Sequence, residues 1–75
     1  MLKCDMCDSP GESGEIITDS LGGAFAERAK AAGADPARMP SHINICGACV
    51  HKHGGWDETL VVQAVDRIIA RLKLP

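Results

Sequence analysis

Four cysteines constrain this chain more than anything else in it. They come as two pairs, Cys4-Asp5-Met6-Cys7 and Cys46-Gly47-Ala48-Cys49, and there are no others. Two residues between cysteines let both sulfurs turn toward one ion from a tight knuckle. The backbone N–H groups between them can then donate to the thiolates. Two such pairs supply a tetrahedral sulfur set, which zinc accepts without geometric penalty from its filled d shell. The spacing therefore predicts one structural Zn²⁺ per chain, held by Cys4, Cys7, Cys46 and Cys49.

The length favours such a staple. Seventy-five residues form one domain, and a domain this small buries little apolar surface and usually needs a metal, disulfides or a partner. Aromatic residues are scarce: one Trp, one Phe and no Tyr. The core must come from Ile, Leu, Val and Ala, which bring less area per residue.

The N-terminus has no apolar signal region, and no stretch approaches the ~20 apolar residues of a membrane span. The expectation is a cytoplasmic, reducing setting, where clustered cysteines ligate metal more often than they form disulfides. A dithiol redox centre is the other use of such pairs. Cys46-Gly47-Ala48-Cys49 at a helix start is similar to the thioredoxin-type active-site pair, although the chain is short for that fold. A rubredoxin-like iron site also pairs two such knuckles, but its aromatic packing is missing here.

Along the chain, residues 1–19 read as a knuckle and a hairpin. Glu15-Ile16-Ile17-Thr18-Asp19 is expected to return as a strand beside residues 2–4, after the turn chemistry of residues 8–14. Residues 20–41 read as a helical insert. Leu21, Phe25 and Ala29 share a face of an Ala-rich helix over 21–32, capped by Asp19 or Ser20 and stopped at Gly33. Asp35-Pro36 starts a single further turn. Residues 42–55 read as a strand, His42 to Ile45, delivering the second pair. A short helical segment follows and ends at Gly54-Gly55.

Residues 56–75 hold the clearest helix. Asp57 is its N-cap, and Trp56 and Val61 are placed as a hydrophobic staple. Val61, Val62, Ala64, Val65, Ile68, Ile69 and Leu72 fill one continuous apolar arc.

With these segments in view, the chain resembles treble-clef and zinc-ribbon zinc fingers. The likeness covers Lys3 to Cys7, the hairpin to Asp19, and Ile43-Asn44-Ile45-Cys46-Gly47-Ala48-Cys49 running into a helix. It implies a small zinc-stabilised α+β fold with a treble-clef-like knuckle and short β-hairpin, to which the sequence pattern adds an inserted Ala-rich helix and a long amphipathic C-terminal helix. It also implies that the four cysteines are the ligands. The long separation between Cys7 and Cys46 departs from the minimal pattern.

Other chemistry has less to stand on. His42, His51 and His53 can ligate metal, but four cysteines already close a tetrahedron. A closed set leaves no open position for catalysis, so no enzyme activity and no small-molecule substrate are expected. The formal charge is −2, which opposes generic adhesion to nucleic acid. The bases do gather in residues 38–75, where Arg38, His51, Lys52, His53, Arg67, Arg71 and Lys73 could meet an anionic partner. The leading expectation is a noncatalytic adaptor or regulator that binds a protein partner, or forms a homodimer through residues 60–72. A small nucleic-acid-binding finger is the alternative, and a thiol redox sensor a lesser one.

Overall fold

The computed structural model describes residues 3–7, 15–21 and 23–73. In chain order they form β1 (Ile16–Ser20), α1 (Ala26–Ala31), a 3₁₀ turn (Pro36–Arg38), β2 (His42–Cys46), α2 (Gly47–His53) and α3 (Glu58–Leu72). The turn chemistry read in residues 8–14 lies outside the described residues.

The two strands make an antiparallel sheet in which Ile16 faces Cys46 and Ser20 faces His42. This corrects the expected pairing. The stretch beside Lys3-Cys4-Asp5 is β2, not β1. Asp5 N–H donates to the Asn44 carbonyl at 2.6 Å, and Cys46 N–H donates to Cys4 Sγ at 3.3 Å. The cysteine cluster accounts for it. Cys46 must reach Cys4, so the strand that carries it takes the middle place, with the knuckle on one edge and β1 on the other.

The Ala-rich helix is shorter than the 21–32 expected and begins at Ala26. Asp19 and Ser20, its expected caps, belong to β1, and Leu21 N–H extends the ladder by donating to the Ser41 carbonyl at 2.9 Å. Pairing with β2 outcompetes a first helical turn weakened by glycine. The expected stop is in place. Gly33 has φ of +88°, Gly33 N–H reaches the Lys30 carbonyl, and Ala34 N–H reaches the Ala29 carbonyl. That is a Schellman ending, which needs a left-handed residue. Gly54, at φ +97°, ends α2 in the same way. Asp35 caps the 3₁₀ turn through Ala37 N–H at 3.0 Å.

The helix α3 lies across β2. Its N-cap is as read, with Asp57 Oδ1 accepting from Leu60 N–H at 2.8 Å. Trp56 and Val61 both pack on the core. Leu60, Ala64, Val65, Ile68 and Ile69 are buried against Ile43 and Ile45 of β2 and Ala29 of α1. Leu60, outside the arc read from sequence, is fully buried. Cys4 and Cys46 belong to this same buried cluster, so the sulfur site is built into the core.

Candidate metal centre

The four sulfurs arrive from three elements. Cys4 and Cys7 lie on the first turn. There Met6 N–H donates to Cys4 Sγ at 3.3 Å, the amide-to-sulfur bond that knuckle spacing makes possible. Cys46 ends β2 and Cys49 sits in the first turn of α2. A strand handing over to a helix between two cysteines turns both side chains to one side.

The result is a single cluster. All four sulfurs lie within 4.8 Å of one another. Cys4 Sγ is 3.7 Å from Cys49 Sγ, and Cys7 Sγ is 3.8 Å from Cys46 Sγ. Both short contacts cross from one pair to the other. A Zn–S bond of ~2.3 Å gives a regular tetrahedron an edge of about 3.8 Å, so these contacts have the size of the cage a metal needs. None of the four cysteines is in a disulfide. The donor set can therefore hold a metal ion.

Burial pushes the Cys49 thiol well above its ordinary range, and hydrogen bonds with Cys46, Cys7 and Cys4 push it further. Crowded sulfurs resist ionising together, and a bound cation reverses that preference.

The cluster has a dry side and an open side. Cys4 and Cys46 are buried, Cys49 is half-buried and Cys7 is exposed. The open side faces a groove of about 290 Å³ lined by Met6, Cys7, Cys49, Lys52, His53 and Leu60.

No histidine joins the sulfur group. Among the described residues, only the four cysteines form a group able to hold a metal. His42 Nδ1 is 2.8 Å from Ser41 Oγ, His53 Nε2 is 2.9 Å from Asp57 Oδ1, and His51 is exposed.

Sequence reasoning missed Asp5, which sits between the first two cysteines. Its Oδ2 accepts from Asn44 N–H at 2.7 Å, and its Oδ1 accepts from Arg71 Nη2 at 2.8 Å. Its carbonyl accepts from Arg67 Nε at 3.2 Å. One residue thus ties the knuckle to β2 and to α3. The available signal was the one-turn spacing of Arg67 and Arg71, which suits two contacts to a single residue.

The same contacts alter the reading of the basic half. Arg67 and Arg71 are engaged with Asp5, and Arg38 Nη1 reaches the Leu72 carbonyl at 3.4 Å. In the first half, Arg28 pairs with Asp66 through two bonds of 2.7 and 2.9 Å. That pairing holds the Asp66 carboxyl below its usual range, first through the hydrogen bond, with burial opposing.

Compared with protein families, curated proteins and solved structures, the chain finds no match in any of the three. Among the described residues, no helix is long and apolar enough to cross a membrane.

Proposed function

We propose that this chain is a noncatalytic zinc-finger module of treble-clef type, in which one structural Zn²⁺ on Cys4, Cys7, Cys46 and Cys49 holds together a surface for a protein partner. The observation that carries the reading is the sulfur cage, with its crossed contacts of 3.7 and 3.8 Å. The order of parts supports the treble-clef reading: a knuckle, an antiparallel strand pair, then a helix opened by the second cysteine pair. Iron suits the same donor set, and metal analysis separates the two.

The metal's role in this reading is to stand in for core. Apparent zinc binding in small fingers is worth about 10–16 kcal/mol, comparable with the about 5–15 kcal/mol that holds a whole domain. Four sulfurs complete the tetrahedron and leave no position for a substrate, which supports a structural role.

A partner surface on the apolar arc of α3, including a homodimer through residues 60–72, has less support than one elsewhere. Leu60, Ala64, Val65, Ile68 and Ile69 are already buried within the chain. Nucleic-acid binding has less support too, because Asp5 already offsets the charge of Arg71 and takes a donor of Arg67.

Native mass spectrometry with circular dichroism tests the reading. The expected result is one zinc per chain, loss of helical signal on chelation and recovery when zinc is returned. An unchanged spectrum after complete zinc removal would end the proposal. Substituting His51 or His53 with Ala should leave the zinc content at one, whereas Cys46→Ser should abolish it.

A further inference from the structure

The outer edge of β1 is the most open piece of backbone in the sheet. Strand alternation fixes which groups face out. Glu15 and Leu21 bond across to Gly47 and Ser41, so Glu15, Ile17, Asp19 and Leu21 point their backbone groups at β2. Those of Ile16, Thr18 and Ser20 point away from it. The Ser20 amide is taken by its neighbour's Asp19 Oδ1 at 2.8 Å. Among the described residues, nothing pairs with the outward amides and carbonyls of Ile16 and Thr18.

The side chains of this edge form a pattern. Register places Ile17 opposite Ile45 and Asp19 opposite Ile43. On β2 that face is buried under α3; on β1 it runs out into solvent. Ile17, at 36 % exposure, is the one exposed large hydrophobic residue among those described. Glu15 and Asp19 flank it on the same face, both exposed. The face therefore reads acid, apolar, acid. Ile17 also walls an open groove with Val50 and Gly54.

We infer that this edge takes an extended basic peptide segment of a partner protein, added as a third strand with an aliphatic side chain over Ile17 and Lys or Arg facing Glu15 and Asp19. The inference rests on the protein-partner reading above and names the partner's chemistry. Strand addition provides the affinity through main-chain bonds, and the alternating side chains provide the selection. Charge decides against a second copy of this chain. Two β1 edges paired about Thr18 would put both copies' Glu15 and Asp19 on one face, and residues 15–21 contain no Lys or Arg. In that register each copy's Asp19 faces the other's Ile17, the two Asp19 carboxylates are diagonal neighbours, and neither strand offers an opposite charge to offset them.

The probe is a capped synthetic peptide reading Lys-Thr-Val-Thr-Lys with Thr at each end, titrated into the zinc-loaded protein and followed by amide NMR. Slower hydrogen exchange at the Ile16 and Thr18 amides is expected, with shift changes centred on β1. The same peptide with Glu for Lys should bind about tenfold more weakly, the size of two exposed charge contacts. A peptide N-methylated on alternate amides should not bind. Ile17→Lys, at an exposed site, should remove binding while leaving the zinc content intact. Thr18→Pro removes an outward donor and should do the same.

The inference is overturned if the β1 amides do not respond, if the N-methylated or Glu peptide binds equally well, or if β1 pairs with itself in the free protein. Zinc content is measured on the same sample. A folded, zinc-loaded protein that ignores the peptide removes this inference alone, whereas a protein without zinc removes the metal reading beneath it.

Discussion

Replacing Asp5 with Ala tests how the metal site is joined to the rest of the domain. The substitution leaves all four sulfurs in place and keeps the backbone bonds of residue 5 to Asn44 and Arg67. It removes two side-chain contacts, to Asn44 N–H at 2.7 Å and to Arg71 at 2.8 Å. A hydrogen bond to a charged acceptor is worth about 1.5–3 kcal/mol. The ion pair joins a carboxylate that is 13 % exposed to a guanidinium that is 43 % exposed, so solvent screening holds it to about 1 kcal/mol or less. Asp5→Ala should therefore cost about 2–4 kcal/mol in urea unfolding with zinc in excess. Asp5→Asn keeps an acceptor for Asn44 N–H and should cost less than half as much. Arg71→Ala should cost about 1 kcal/mol or less, and combining it with Asp5→Ala should cost less than the sum of the two. The reasoning fails if Asp5→Ala lies within about 0.5 kcal/mol of the parent, the spread of ordinary surface changes. It also fails if Asn proves as damaging as Ala.

Two further outcomes follow from the capping geometry. Gly33→Ala should destabilise by about 1–2 kcal/mol through backbone conformation alone, since a Cβ there meets nothing within 4 Å; a neutral result in thermal melts would show that α1 does not end in the left-handed turn. Asp57→Ala should speed exchange of the Leu60 amide, because that amide loses its acceptor. The Leu60 bond holds the Asp57 carboxyl below its usual range, and His53 adds to this against burial. A lowered folded-state pKa means that the cap's contribution is present above the unfolded value of ~3.9 and fades as pH falls through the lower folded value. Parent and variant should thus differ at neutral pH and converge in acid, with equal Leu60 exchange at neutral pH counting against the cap.

Much of the site was legible because it is local. A pair of cysteines two residues apart forms a knuckle almost regardless of context, and two such pairs in a small, aromatic-poor chain leave few alternatives. Helix ends were legible for the same reason: Gly33, Gly54, Asp35 and Asp57 act on backbone groups a few residues away. What was misread was non-local. Glu15–Asp19 looks like the second arm of an N-terminal hairpin, yet it pairs with residues 42–46, because Cys46 has to lie beside Cys4. Likewise Arg67 and Arg71 look like a wet, anion-ready face until Asp5 is placed against them.

The sequence alone determined the four-cysteine set, the chemistry such a set can support and the caps that punctuate the helices, since each depends on spacing of a few residues. Tertiary structure alone decided which strand lies at the centre, where the apolar arc of α3 is buried, and which edge is left open. Those choices depend on contacts between residues tens of positions apart, whose geometry is set jointly by the sulfur cage, the core beneath it and the Asp5 contacts. The two cysteine pairs therefore do more than mark a metal site: by drawing β2 between the knuckle and β1, they leave Ile17 and its acidic neighbours on the outside.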